Sequence, residues 1–278
     1  MRKLKAGEQL AMQIALALIA LFVLTPIWSV VYLAFDGGVT GQPTEFHVWP
    51  EKPTLTVFQE VWQKPAQTLS FLGVLRNSLI VAGGAAVIAV IFGASMAYAF
   101  ARYRFPGRRP GLFGLLVGTL LPPVALMTPL YVLLTALQVR TTLFGLMIVY
   151  TAFSMPFCIW NMRAAFQSVQ KELEESAFLD GATPFIAFWR VTLPLALPAI
   201  AVAALIAFLT GYTEFAMGWL FVNTGDNVTL AMAIWGMLSN DFNSWSRLAA
   251  LAILMSAPVV VLFSVLQKYW LPSQYSSQ

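Results

Sequence analysis

The chain has 278 residues, of which 59% are hydrophobic and 10% charged, with a formal net charge of +4. Soluble domains carry about 25% charged residues, so this composition cannot cover a water-facing surface. The positive charge is divided among segments that flank apolar runs, which points to membrane topology and away from nucleic-acid binding.

Uncharged runs of 20 or more residues cover 9–35, 77–101, 110–139, 141–162 and 248–267, and a sixth stretch, 191–225, is broken only by Glu214. About 20 apolar helical residues cross a hydrocarbon layer about 30 Å thick. The pattern therefore predicts an all-α polytopic membrane protein with six transmembrane helices. The run 227–240 has 14 residues and is too short to count as a span. No stretch is large enough for a separate soluble domain, so 1–278 reads as one membrane domain with outer loops 36–72 and 222–247 and an inner loop 164–192. Arg2, Lys3 and Lys5 precede a 27-residue apolar run, long for a signal peptide, and an uncleaved first span is expected. The single Cys158 can form no intrachain disulfide.

In chain order, span one covers about 10–35 and ends in Asp36-Gly37-Gly38, a turn signal. The loop after it carries Pro43, Pro50, Pro53 and Pro65, with an amphipathic stretch at 57–62. Span two, about 77–101, is rich in Gly and Ala, which let helices approach closely inside a bundle. Span three, about 112–136, contains Pro122, Pro123 and Pro129. These bend or break a helix, either along a water-filled path or as a packing irregularity. Span four covers about 143–160. Span five follows Pro194 and Pro198 and runs to about residue 221, and span six covers about 248–267.

Lys and Arg accumulate on cytoplasmic segments. Eleven lie at the N-terminus, in the connections after spans two and four, and in the tail, against five (Lys52, Lys64, Arg76, Arg140, Arg247) on the opposite side. Both termini are expected in the cytoplasm.

The segment 164–192 holds Glu172, Glu174, Glu175 and Asp180 where topology requires no acids. Residues 170–179 read as a helix stopped by Asp180-Gly181, with Thr183-Pro184 starting a second one. Phe185, Phe188 and Trp189, at i, i+3 and i+4, are expected to share one aromatic face. Such a face suits a partner's groove or, alternatively, lipid headgroups or the bundle itself.

No Lys is followed by Ser or Thr, so the chain has no phosphate-cradling P-loop. His47, the sole histidine, has no cluster of acids or Cys at metal-ligand spacing, and no metal site is expected. Glu214 is the one ionisable residue well inside a long apolar run. It reads either as a group in a wet cavity near the outer gate or as an interfacial residue paired with Arg247. Asn77, Tyr131, Tyr150, Tyr212 and Glu214 are the candidates for a solute path, although Trp and Tyr also gather at membrane interfaces. An ion-gradient-driven secondary transporter is the alternative class, but it would want several buried titratable sites and repeated halves.

The string Glu174-Glu175-Ser176-Ala177-Phe178-Leu179-Asp180-Gly181-Ala182-Thr183-Pro184, with Phe188, Leu193-Pro194-Leu195 and Pro198, resembles the "EAA" loop of permease subunits of binding-protein-dependent ABC importers. Asn77-Ser78-Leu79, the run from Ala97 to Gly107, and Pro129-Leu130-Tyr131 are similar to the carbohydrate branch, the maltose-type second permease. The resemblance implies a type I ABC importer permease fold in a prokaryotic inner membrane. It implies half of a path for a sugar, a di- or oligosaccharide. The implied partners are a second homologous permease, two cytoplasmic ATPase subunits carrying ATP and Mg, an extracytoplasmic sugar-binding protein and membrane lipid. It further implies no cofactor on this chain, and docking on the ATPase through Glu174, Glu175, Ser176, Ala177, Asp180, Gly181, Ala182, Phe185 and Phe188. Glu175 falls on the loop's Glu and Gly181 on its Gly, while Ser176 replaces the usual Ala. In the family, the loop 222–247 with Asn223, Asp226, Asn240, Asp241 and Asn243 would face the binding protein. Two departures are the absence of a Gly-rich tail, replaced by Leu271 to Gln278, and Tyr212-Thr213 before Glu214-Phe215 where the family tends to have Trp-Asn before the acid.

Overall fold

A computed structural model describes residues 6–39, 43, 45, 47–66, 68–222, 225–240 and 245–269. Arg2, Lys3, Lys5, Asn223, Asp241, Asn243, the Asn240 side chain and the tail 271–278 lie outside the described residues. Among the described residues the regular secondary structure is helical, apart from one isolated bridge between Asp36 and Pro53. Its elements are α1 (Ala6–Phe35), α2 (Thr56–Gln63), α3 (Phe71–Arg102), α4 (Arg108–Leu120), α5 (Pro123–Ala136), α6 (Leu143–Ser168), α7 (Lys171–Leu179) and α8 (Pro184–Ala187). After a π-helical turn at Phe188–Thr192 come α9 (Leu193–Leu195), α10 (Leu197–Thr213), α11 (Ala216–Phe221), α12 (Leu230–Asn240) and α13 (Trp245–Leu266).

Four helices, Gly7–Phe35, Phe71–Arg102, Leu143–Ser168 and Trp245–Tyr269, are each long and apolar enough to cross a membrane, and the number reaches six if each of two bent helix pairs is counted as one span. The expected third span is one of these pairs, with α4 and α5 meeting at 103°. Leu121 is held extended (φ −71°, ψ 125°) by the proline after it, and Pro123 at the first turn of α5 offers no N–H to continue α4. Pro129, by contrast, sits inside α5. The expected fifth span also needs correction. Its helix α10 ends at Thr213, Glu214 is extended (φ −75°, ψ 132°), and α11 is a separate short helix. Residues 230–240, too short to be read as a span, form α12, whose 11 residues reach about 16 Å.

The core is built by α3, α6 and α10. Alanines 82, 86, 89, 94 and 97 of α3 are buried in it. Backbones come together closely: a Cβ added at Gly211 would stand 3.2 Å from the Cα of Ala82. Where lipid supplies no hydrophobic drive, this dispersion contact is what holds helices together. On the other side α1 packs on α13, and no residue of α1's apolar window is buried within the chain.

The turn after α1 closes on Asp36, which is 2% exposed. Its carboxylate accepts hydrogen bonds from the backbone N–H of Gly38 (2.8 Å), Glu51 (2.7 Å) and Lys52 (3.2 Å). Burial disfavours the charged form, but these donors and nearby His47 outweigh it and hold the carboxyl below its ordinary 3.8.

Candidate functional site: a helical knob between α6 and α10

Residues 171–195 fold as a knob outside the long apolar helices. The α7 helix ends in a Schellman motif: Ala182 N–H donates to Ala177 O (2.9 Å) and Gly181 N–H to Phe178 O (3.0 Å). Gly181 carries φ +85°, a conformation that side chains with a Cβ rarely adopt. Thr183 then caps α8, its hydroxyl accepting from Ile186 N–H (3.4 Å), and Pro184 occupies the first turn. The segment Pro184–Leu195 meets α10 at 79°.

Glu174 fastens the knob to the bundle. Arg102, at the end of α3, approaches its Oε1 through Nη2 (2.7 Å) and Nε (2.8 Å), and both side chains are nearly buried, 8% and 7% exposed. Tyr98 OH donates to Oε2 (3.2 Å), and Thr192 Oγ1 donates to Oε1. The remaining guanidinium reach goes to Val169 O (3.0 Å). A carboxylate buried this far is tolerable only because charge and hydrogen bonds are both satisfied.

The expected single aromatic face splits in two. Successive helical residues step by about 100°, so Phe188 and Trp189 diverge. Phe188 turns inward with buried Ala187 and Thr192 and packs on Tyr98 (4.6 Å between centroids) and Phe166 (5.8 Å). Phe185 and Trp189 turn outward, stacked 6.5 Å apart. With Leu179 they form an apolar surface outside the bundle, exposed by 72%, 60% and 91%. Glu175, Ser176, Asp180 and Gly181 are exposed beside it and Ala177 and Ala182 are half-buried, whereas Glu174 and Phe188 face the chain's own helices.

The solute-path candidates gather at the end of α3 opposite the knob, but most are turned inward. Asn77 donates through Nδ2 to Asp226 O (2.8 Å) and Val228 O (3.0 Å), and neighbouring Ser78 accepts from Leu230 N–H (2.7 Å). Tyr150, 1% exposed, donates to Glu214 Oε2 (2.8 Å), which also accepts from Met217 N–H. Glu214 is half-buried. Its expected partner Arg247 instead pairs with Glu60 (2.7 Å). Tyr212 donates to Met255 O (3.0 Å) within the helix packing. Tyr131 alone of the five is exposed, with the Arg140 guanidinium 4.6 Å from its ring centre. Among the described residues no group of three or more His, Cys, Asp or Glu could hold a metal.

Sequence reasoning did not single out Arg102, Tyr98 and Thr192 as the partners of Glu174. The available signal was Tyr98 and Arg102 at i and i+4 closing an apolar run, on the same side as the one acid-rich loop.

Residues 89–273 match the family described as binding-protein-dependent transport system inner membrane component. The chain belongs to that family. It is a permease subunit of a multi-pass, inner-membrane transporter, and not itself the catalytic part. The maltose/maltodextrin transport system permease protein MalG of Salmonella typhimurium is 34% identical over 200 residues, 70% of this chain and 68% of that protein. The trehalose transport system permease protein SugB of Mycobacterium tuberculosis is 34% identical over 200 residues, 71% and 73% of the two chains. The crystal structure of a bacterial ABC transporter involved in the import of the acidic polysaccharide alginate shares the fold. Its TM-score is 0.77 at 21% identity, over 98% of this chain and 100% of that one.

Proposed function

We propose that the chain forms half of the translocation path of an ATP-driven importer for a di- or oligosaccharide. Its relatives include maltose/maltodextrin and trehalose permeases, which supports a carbohydrate solute. The other half is a second homologous permease. Two cytoplasmic ATPase subunits hold ATP and Mg, and an extracytoplasmic binding protein delivers solute at the outer segment 222–247. Both termini then lie in the cytoplasm, on the knob side.

One observation carries this reading: the knob exposes Leu179, Phe185 and Trp189 while Glu174 pins it to α3. Exposed apolar groups on a rigid mount are what a docking lever needs, since each large side chain gains about 1.5–3 kcal/mol when removed from water. Phe185 with Glu175, Ser176, Ala177, Asp180, Gly181 and Ala182 forms the docking surface, while Glu174 and Phe188 hold it in place. The 79° joint at Ala196 lets a push on 184–195 tilt α10 and the helices packed on it. Of the path candidates, Tyr131 and Glu214 keep access to a solute. The test is ATP hydrolysis by the complete complex with its binding protein in liposomes. Maltodextrins or trehalose should stimulate it, and stimulation only by non-carbohydrate solutes would overturn the sugar assignment.

A further inference from the structure

On the knob side, the turn between α3 and α4 gathers positive charge that the coupling reading does not use. Arg108 donates through Nε to Phe100 O (3.0 Å), and Arg163 of α6 donates through Nε to the same oxygen (3.4 Å). Both side chains are half-buried, and Arg163 also lies 5.5 Å from the Trp160 ring centre. Arg102 is neutralised by Glu174, but Arg104, Arg108, Arg109 and Arg163 have no ion-pair partner among the described residues. Phe100 lies in the last turn of α3, whose dipole offers only about half a negative charge against two guanidiniums. The positive-inside tendency accounts for the side on which these arginines lie. It does not account for two of them meeting at one carbonyl.

An apolar stripe leads directly away from this charge. Arg109, Phe113, Leu116 and Leu120 are spaced i, i+4, i+7 and i+11 along α4, so they share one face. Phe113 is 67% exposed and Leu120 80%, and α4 has no buried residue. Exposed Tyr103 and Phe105 flank the cationic end, the placement of aromatics at a membrane interface. Cations at the rim of a span with a bare apolar stripe beside them match a molecule that has an anionic head and an acyl tail.

We propose that Arg108, Arg109 and Arg163 form a binding site for the headgroup of an anionic phospholipid, with its acyl chain lying along Phe113, Leu116 and Leu120. The phosphate replaces the missing counter-charge between the two convergent guanidiniums and fixes the α3–α4 turn against α6. The site depends on the membrane reading of α4 and not on the knob's role in coupling. Loss of one therefore leaves the other standing.

The experiment uses the complete transporter, exchanged into mixed micelles of phosphatidylcholine and phosphatidylglycerol, with retained phosphatidylglycerol measured by native mass spectrometry. Wild type should retain phosphatidylglycerol selectively. Each of Arg108→Ala and Arg163→Ala should weaken retention about fivefold, as expected for one basic residue near a membrane surface. Arg108→Lys with Arg163→Lys should keep most of the binding and controls for folding. Phe113→Ser with Leu120→Ser should weaken retention of long-chain but not short-chain phosphatidylglycerol. Inorganic phosphate alone should not displace the lipid. Competition by phosphate as effective as by phosphatidylglycerol would make this a free-anion site and overturn the proposal. So would arginine variants that retain lipid like wild type, or cross-linking of Arg109→Cys to an ATPase or second permease subunit.

Discussion

At the knob, the charged side chains of Glu174 and Arg102 are 7% and 8% exposed while apolar Leu179 and Phe185 are 91% and 72% exposed. At the opposite end of α3 polarity is used differently: Asn77, Ser78, Tyr150 and Tyr212 are all buried and all spent on bonds within the chain. One end thus presents a surface whose apolar groups lack a covering, and the other closes its polar groups upon themselves. In both, a polar residue in an apolar chain marks a joint that fixes geometry. Function shows instead in what the joint leaves uncovered.

The contrast can be broken most severely at its joint. Arg102→Met strands a buried carboxylate and should destabilise the subunit by about 3–5 kcal/mol. Thermal unfolding of the purified complex should show this, with the double variant Arg102→Met and Glu174→Leu recovering most of the loss. A smaller effect is expected from Gly181→Pro, because proline cannot adopt φ +85°. Membrane insertion should persist while the turn rearranges at a cost of about 1–3 kcal/mol, and uptake should be lost with ATP hydrolysis retained. Measuring both rates in the same vesicles checks this.

At the other end, Tyr150→Phe removes one hydrogen bond to Glu214 and should cost about 1–3 kcal/mol while leaving the apparent affinity for solute unchanged. A large loss of affinity with intact stability would move Tyr150 from the packing to the path. The smallest effect belongs to Asp36, whose folded pKa is depressed. Its contribution is present above the ordinary carboxyl value of 3.8 and is lost as pH falls through the lower folded value. Asp36→Asn should remove that acid-range dependence from the unfolding profile.

Much of this architecture is legible in the sequence because burial in lipid and burial in protein both demand apolar runs. The runs locate every long helix, and Asp180-Gly181 with Thr183-Pro184 locates the knob's turn, since backbone sterics act locally. What periodicity misses is set by tertiary contact. Phe188 and Trp189 are adjacent in sequence, and only packing on Tyr98 and Phe166 decides which one turns in. Glu174 and Glu175 are chemically alike, yet only Glu174 meets Arg102. Charge pattern leaves Glu214 open between a wet cavity and a pairing with Arg247; in the fold it accepts from the Tyr150 hydroxyl just past the end of α10, while Arg247 pairs with Glu60. The 11-residue α12 falls below the length that marks a span.

The role proposed for the exposed knob surface, gripping a separate ATPase subunit, is open to direct cross-linking. Because the chain's only cysteine, Cys158, is buried, Phe185→Cys places a single accessible thiol at that surface. Thiol cross-linking in the complete complex should join this position to the ATPase and stop coupled uptake. Cross-links only to lipid or to the chain's own helices, with uptake undisturbed, would rule out that role.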